Sequence, residues 1–263
     1  IGIKGRFGQW LQTFLSRQGF TVIGSDIGTH ITNIDVVRRA DVVIFAVRLS
    51  RMASVIGSLV PYSRKSQLWL DIGSLKKEIL QKMLRSRAEV AGMHPLFAPP
   101  HEMSWKSETL VLSTTRLKRW SKWFGKFIAT TGATVVRATP DMHDSMMVFT
   151  QNLPQATVLA LAMTFADLVK SPPSNLLKFS TTASRKVLAL IASMLANTPE
   201  VYGDIQVGNR EGVAALDALI DSLKLIRKLA SEGSSDEIAL ILGSLRSLYG
   251  EEFIAAGKNG FVR

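Results

Sequence analysis

The sequence predicts an α/β fold in the first half of the chain, followed by an all-α second half. In the first half, short runs rich in β-branched and aromatic residues alternate with segments whose apolar residues recur at helical spacing. After residue 139 the strand signals nearly stop and helical patterns continue. Such alternation favours a mostly parallel sheet with right-handed crossovers. We therefore expect an α/β domain over residues 1–140 and a helical domain over residues 141–263.

Six runs are typical of buried strands: FTVIG, DVVIFAV, QLWLDIG, EVAGM, ETLVLST and ATVVRAT. Helical patterns between them span residues 9–18, 51–59, 75–85 and 117–131, and the first and last of these end at Gly19 and Gly132. The opening IGI is typical of the end of a strand, so we expect residues upstream of it. Later helices are predicted at 143–169, 176–196, 199–232 and 235–249, with the first break at SPPS.

The composition excludes several classes of chemistry. The 263 residues include no cysteine, which excludes disulfides, thiolate metal sites and thiol catalysis, and which is compatible with the reducing cytoplasm where we expect the protein. The net charge of +11 favours small anionic ligands over nucleic acid, because the basic segments also carry helically spaced apolar residues. No apolar stretch approaches the roughly 20 residues that cross a bilayer, so we expect no membrane partner.

The helical half is unusually apolar, above all in LPQATVLALAMTFADLV and VLALIASMLA. A helix that is apolar nearly all round is usually buried. We therefore infer a partner subunit, although a deep core within one chain would account for the same pattern.

The segment IGIKGRFGQW lies where the first strand would turn into the first helix. Gly5 and Gly8 match the last two glycines of G-x-G-x-x-G, a pattern that brings a pyrophosphate onto the amides of a helix N-terminus. Ile3 occupies the place of the first glycine, and Gly2 lies one residue earlier. The pattern predicts a dinucleotide site; a tight turn between strand and helix would explain it equally.

Four further positions are assigned to the same cofactor. Arg6 and Phe7 lie between the glycines, and Val47 ends the third predicted strand in FAVRLS. Asp26 follows the second predicted strand, 18 residues after Gly8, where a carboxylate would bind the adenine ribose and repel a 2′-phosphate. NAD is therefore preferred over NADP, while a turn role within SDIGT is the alternative for Asp26.

His94 ends a strand in GMHPLFAPP, where the neighbouring prolines would stiffen the loop. A neutral imidazole at this edge of the sheet would take a proton from a substrate hydroxyl while hydride leaves the adjacent carbon; a structural histidine is the alternative. Ser74, in LDIGSLKK, reaches the same edge, and it would also serve as the N-cap of the next helix. His101 and Glu102 do not show a metal-ligand spacing, so no metal is predicted.

The motifs IKGRFG, LDIGSLKK, GMHPLFAPP and the MHD of PDMHDSMM occur in an order and at separations similar to those of the prephenate and arogenate dehydrogenases of tyrosine biosynthesis. The chain resembles this family over nearly its whole length. The resemblance implies a Rossmann-like dinucleotide-binding domain followed by a helical domain that forms a homodimer. It implies oxidative decarboxylation of an anionic cyclohexadienyl substrate with NAD or NADP, with His94 as the catalytic histidine at the ring hydroxyl and Ser74 supporting it.

The resemblance also indicates substrate-binding residues. Arg185, after FSTTAS, and Arg210, in GNREG, would bind substrate carboxylates through the planar guanidinium fork; each could instead be a surface charge or an intersubunit ion pair. His143 and Asp144 match the family's HD and are interpreted as a structural pair between the domains. Gln155 stands where the family's L-P-H has histidine, so a neutral amide faces the substrate.

These departures, together with Ala98 where the family has glycine, leave the substrate open between prephenate, arogenate and another ring. A related dehydrogenase acting on a different ring is therefore one alternative. A catalytically silent NAD-binding scaffold is another, and a nucleic-acid binder with salt-dependent affinity is a third.

Overall fold

The computed structural model describes residues 1–99, 104–169 and 173–258. The chain divides into two compact units, Ile1–Gly212 and Val213–Arg263. The first unit contains the whole sheet and the helices around it, and the described residues of the second are helical, with a break at Gly250, whose φ is +76°. The boundary expected near residue 140 stays a prediction. Within the described ranges, no helix has the length and apolar character needed to cross a membrane.

Five strands lie side by side in chain order: β1 Val42–Phe45, β2 Leu68–Asp71, β3 Glu89–Pro95, β4 Thr109–Arg116 and β5 Thr134–Arg137. β1 and β2, β2 and β3, and β4 and β5 pair in parallel, which confirms a mostly parallel sheet. β3 and β4 pair antiparallel, with His94 opposite Val111. The sequence analysis missed this reversal, although the connection between these two strands shows no helical pattern that would return the chain for a parallel pair.

Helices cover both faces of the sheet because each buried strand sends alternate side chains to opposite sides. In β2, Leu68 and Leu70 face one apolar layer and Trp69 faces the other, all three fully buried. The first layer includes α1 (Arg6–Arg17) and α5 (Ser121–Thr131). The second includes α2 (Asn33–Arg39), α3 (Leu49–Leu59) and α4 (Lys77–Met83). The sequence analysis did not predict α2, a short helix closed by a capping box at Thr32 and Asp35.

The strands predicted at FTVIG and at the opening IGI are wrong: neither segment forms a strand. The opening residues lie between two neighbours, since the amino group of Ile1 donates to the carbonyl of Ile44 at 2.9 Å and the amide of Gly2 donates to the carbonyl of Ser25 at 2.8 Å. The amide of Ile3 donates to the same carbonyl at 3.2 Å, so the backbone of the opening segment bonds to Ser25 rather than to residues 20–24. A β-rich run needs a ladder partner as well as the right composition, and composition alone does not show whether one is present.

The later part of the chain is helical, as predicted. A π-helical turn at Val148–Asn152 separates the first two of these helices. Thr139 caps the first by accepting from the amide of Met142 at 3.2 Å, and Pro140 occupies its first turn. Their bounds are α6 Pro140–Met147, α7 Leu153–Leu168, α8 Pro173–Lys178, α9 Thr182–Leu195, α10 Pro199–Gly208, α11 Gly212–Glu232 and α12 Ser235–Lys258. The predicted helix 199–232 is thus two helices.

Candidate active site

A cavity of about 750 Å³ opens at the carboxyl ends of β1, β2 and β3. The ends of these strands form one wall, and residues of the π-helical turn, α7 and α10 contribute to the other. Parallel strands place the residues that follow them at one edge, where open α/β sheets bind ligands. The predicted site residues that line the cavity are Gly5, Arg6, Phe7, Val47, Ser74, His94 and Gln155.

The turn into α1 requires glycine at two positions. Gly2 has a φ of +89°, and a Cβ placed on it would lie 2.5 Å from the carbonyl oxygen of Ala46. A Cβ on Gly8 would lie 2.0 Å from the carbonyl oxygen of Gly2. Gly2 therefore makes the tight turn that the G-x-G-x-x-G pattern assigns to the position of Ile3. The sequence analysis missed this role of Gly2 because it depends on the backbone conformation. The first turn of α1 is left open to the cavity at Gly5 and Arg6.

Asp26 is held beside this turn and does not line the cavity. Its carboxylate accepts from the amide of Lys4 and from the amide of Ile27, both at 2.8 Å. These bonds agree with the turn role that the sequence analysis considered for Asp26. Each carboxylate oxygen can still accept a hydrogen bond from a hydroxyl. Its role toward a ribose stays a prediction.

His94 is buried at the cavity wall and bonded to a second histidine. Its Nδ1 lies 2.8 Å from Nε2 of His143, and Nδ1 of His143 lies 2.6 Å from Oδ1 of Asp144. Burial, with the nearby Lys76 and His143, holds the pKa of His94 well below its usual value of 6.5. His94 is consequently neutral near pH 7, as a general base must be.

Asp144 has a second set of contacts at the start of α4. Its carboxylate accepts from the amides of Lys76 at 2.7 Å and Lys77 at 2.9 Å. Asp144 therefore caps the N-terminus of α4, whose own N-cap residue makes no side-chain capping bond. Burial alone would raise the pKa of Asp144, but the hydrogen bonds from His143, Lys77 and Lys76 hold it below its usual value. Ser74 is therefore not the N-cap of α4, contrary to one of the two roles predicted for it.

Lys76 and Asp71 form a fully buried ion pair, and Lys76 is near His94. Oδ2 of Asp71 also accepts from the amide of Gly73 at 2.9 Å. Burial raises the pKa of Asp71 and lowers the pKa of Lys76, and each partner opposes the shift of the other. The sequence analysis missed this pair because the two residues fall in the strand and loop of an ordinary LDIGSLKK segment.

Two neutral amides of the helical wall have free hydrogen-bonding capacity in the described part of the chain. Gln155 and Gln151 line the cavity, and Oε1 of each is buried without a hydrogen-bond partner in the described part of the chain. A buried amide oxygen without a partner costs stability unless a ligand supplies the bond. These two side chains are therefore suited to bind a polar group of a substrate.

The structure places the predicted arginines away from the cavity. Arg185 and Arg210 are exposed and do not line it. Arg6 and Arg48 do line it; the guanidinium of Arg6 lies 3.4 Å from Oδ1 of Asn197, and Arg48 binds both carboxylate oxygens of Asp204. The sequence analysis did not assign Arg48, although it directly follows Val47 at the end of a strand.

A second cavity of about 520 Å³ lies between residues 20–24, α1 and β1, with mostly apolar side chains around it. It includes Gly8 but not His94. Its charged side chains are Arg39 and Asp41, and no histidine lines it, so we assign the chemistry to the larger cavity.

The larger cavity fits a dinucleotide. Gly5, Arg6 and Phe7 line it at the start of α1, so the helix N-terminus offers amides and the Arg6 guanidinium to a pyrophosphate. Gly2 and Gly8, where a Cβ would not fit, shape the same turn on the side of the second cavity. No group of three or more possible metal ligands occurs in residues 1–99, 104–169 or 173–258. His101, Glu102 and Pro100 lie outside the described residues.

Fold and cavity together define a nucleotide-binding α/β protein joined to a helical region. Residues 21–136 match the nucleotide-binding domain of prephenate dehydrogenase, and residues 139–244 match its dimerization domain. The chain belongs to the prephenate dehydrogenase family, as the resemblance predicted.

Individual relatives agree with this assignment. The chain is 26% identical to a probable arogenate/prephenate dehydrogenase of Methanocaldococcus jannaschii, over 96% of this chain and 60% of that protein. It is 26% identical to a 4-amino-4-deoxyprephenate dehydrogenase of Streptomyces pristinaespiralis, over 95% of this chain and 90% of that protein. The fold is similar to that of prephenate dehydrogenase of Aquifex aeolicus in complex with hydroxyphenyl propionate and NAD+, with a TM-score of 0.73, 19% identity and coverage of 93% and 94%. The chain thus spans about three fifths of the first of these relatives.

Proposed function

We propose that this protein catalyses the NAD-dependent oxidative decarboxylation of a cyclohexadienyl acid, prephenate or arogenate, to the corresponding phenol. The observation that carries the proposal is that His94 lines the same cavity as Gly5, Arg6 and Phe7 at the start of α1. The base for the substrate hydroxyl and the proposed dinucleotide-binding residues therefore lie in one cavity.

The reaction combines hydride transfer, proton removal and loss of carbon dioxide. A bound nicotinamide would supply the hydride acceptor. His94 removes the proton of the ring hydroxyl at the ring nitrogen that His143 does not engage, so that the C–O bond becomes a carbonyl as the C–H bond breaks. The C–C bond to the ring carboxylate then breaks to release carbon dioxide, and its electron pair completes the aromatic ring. The carbonyl oxygen takes back the proton from His94 and becomes the phenol hydroxyl, and aromatisation provides much of the driving force.

Holding the substrate accounts for much of the expected acceleration, because fixed reactants save up to about 7 to 11 kcal/mol of the barrier. Arg6 and Arg48 supply positive charge for the anionic groups of cofactor and substrate, while Ser74 and the two glutamines supply hydrogen bonds. Arg185 and Arg210 remain proposed carboxylate ligands on the strength of the family resemblance alone. NAD is proposed over NADP because Asp26 would repel a 2′-phosphate.

A second candidate substrate follows from Gln155. The family histidine at this position is replaced by an amide, and one relative is named for a ring bearing an amino group, 4-amino-4-deoxyprephenate. The alternative function is the same oxidative decarboxylation on such a related ring.

We also propose a homodimer formed through the helical region. Helix α7 contains no buried residue although most of its side chains are apolar, and Met163 and Leu168 are exposed. Apolar surface of this kind marks a contact with another molecule. Sedimentation of the purified protein at micromolar concentration tests the proposal: a dimer supports it, and a monomer at all concentrations contradicts it.

One assay tests the function. The purified chain is mixed with NAD or NADP and offered prephenate, arogenate and 4-amino-4-deoxyprephenate separately, and the absorbance of the reduced cofactor is followed. We expect turnover with NAD and at least one of the three. Cofactor binding without turnover on any of them would support the silent scaffold instead.

A further inference from the structure

The hydrogen bonds around Asp144 determine which ring nitrogens of two histidines carry protons. The amides of Lys76 and Lys77 can only donate, so the oxygens of Asp144 that they reach must accept. Asp144 stays ionised, because its hydrogen bonds hold its pKa below the usual value against the effect of burial. Oδ1 of Asp144 then accepts from His143 as well, and Nδ1 of His143 must carry a hydrogen.

The same reasoning extends one ring further. If Nδ1 is the only ring nitrogen of His143 that carries a hydrogen, its Nε2 has a lone pair, 2.8 Å from Nδ1 of His94. Nδ1 of His94 must then be the donor, which leaves the lone pair of His94 on Nε2. In the part of the chain that the structure describes, no hydrogen bond to this Nε2 is formed, and His94 lines the cavity.

We propose that His143 is a positioning residue for the reaction: with Asp144 behind it, it holds His94 in the tautomer whose Nε2 lone pair meets the substrate hydroxyl. This inference rests on the proposed function. It changes the role predicted for the MHD segment, which was interpreted as structural, and it assigns no proton transfer to Asp144, which remains a carboxylate throughout.

The charges around His94 explain why a protonated His94 needs Asp144 to stabilise it. Lys76 lies close enough to oppose a positive charge on His94 and is itself paired with Asp71, while Arg6, Arg48 and Asp204 line the same cavity. When His94 takes up the substrate proton at Nε2, it becomes a cation. Its Nδ1 hydrogen then points to His143, and Asp144 is the anion that stabilises the charge through that ring.

The tautomer can be measured without activity. Full-length protein labelled with ¹⁵N-histidine contains four histidines, and the spectrum of His94→Asn identifies the His94 signals by their loss. We expect His94 to carry its hydrogen on Nδ1 in the wild-type protein at neutral pH, and to lose this signature in His143→Leu. A wild-type His94 with its hydrogen on Nε2 would overturn the proposal. This readout decides the proposal even if no cyclohexadienyl substrate is turned over.

Kinetics separate positioning from folding. His143→Leu is expected to lower kcat about 10²-fold with KM changed less than about threefold, because a general base in the wrong tautomer loses most of its contribution. His143→Gln should recover about tenfold of this loss, since its amide oxygen can accept from Nδ1 of His94.

The matched control is Thr139→Ala, which removes the N-cap of the same helix α6 and costs about 1 kcal/mol of stability. The hydroxyl of Thr139 bonds neither histidine, and its carbonyl, which accepts from the amide of His143 at 2.9 Å, is kept in the variant. Its kcat should stay within about twofold of wild type. If His143→Leu shows the same kcat as Thr139→Ala, or if His143→Gln is no better than His143→Leu, the positioning role is contradicted.

Discussion

The carboxylate of Asp144 accepts hydrogen bonds from the amides of Lys76 and Lys77 while it also binds His143. One side chain of α6 therefore caps α4, fixes the loop that carries Ser74, and orients the histidine next to His94. The strand-end loop and the helical wall of the cavity are joined at this carboxylate.

Replacing Asp144 by alanine is expected to lower the free energy of unfolding by about 2 kcal/mol at pH 7, because a helix cap and a buried hydrogen bond are both lost. The folded-state pKa of Asp144 lies below its unfolded value, so its contribution is present above about pH 4 and is lost as the pH falls through the folded-state pKa. Urea unfolding at several pH values measures this. A difference between variant and wild type that is constant from neutral pH to strongly acid pH would contradict the assignment.

Gly8→Ala should destabilise the first unit and abolish cofactor binding, because the added methyl would lie 2.0 Å from the carbonyl oxygen of Gly2. Overpacking against backbone costs about 1 to 3 kcal/mol or more. The control is Gly57→Ala in α3, where a Cβ meets nothing within 4 Å and where alanine should stabilise the helix by about 0.5 to 1 kcal/mol. Thermal unfolding and NAD titration of both variants provide the comparison, and equal behaviour would refute the close approach.

The sequence predicted the features that depend on local pattern. Periodicity identified five of the six proposed strands in their places, and the end of β3 located His94 at the ligand-binding edge. Features that depend on distant contacts were not predicted: the cap from Asp144 to α4 and the pair of Lys76 with Asp71 both need the fold to bring the groups together. Arg185 was assigned to the substrate by resemblance, but its side chain is exposed and does not line the cavity. Its local sequence does not indicate this exposure.

Lys76→Met should cost about 3 to 5 kcal/mol of stability, because it leaves Asp71 buried without its partner. Adding Asp71→Asn to Lys76→Met should recover most of that loss, since no buried charge remains. Lys224→Met is the exposed control: its ion pair with Asp221 is largely in solvent and should contribute less than about 1 kcal/mol. Urea denaturation of the three variants tests the point, and a loss for Lys76→Met no larger than for Lys224→Met would disprove it.

Gln155→Leu is expected to raise KM for the ring substrate about tenfold with little change in kcat, because an amide that binds substrate in both ground and transition states is removed. Gln12→Leu, which lines the other cavity, should leave KM unchanged. Steady-state kinetics on the preferred substrate compare them. Equal KM values for Gln155→Leu and wild type would remove Gln155 from the substrate site.

The central claim is that His94 is the general base, and the most direct test is the pH dependence of kcat/KM for wild type beside His94→Asn. Because the pKa of His94 is lowered, activity should persist below pH 6.5 and fall only as the pH drops through the lowered value, where protonation removes the base. His94→Asn should lose turnover by about 10²-fold or more and should lack this acid limb, while it still binds NAD. Unchanged turnover in His94→Asn, with the same acid limb, would contradict the account.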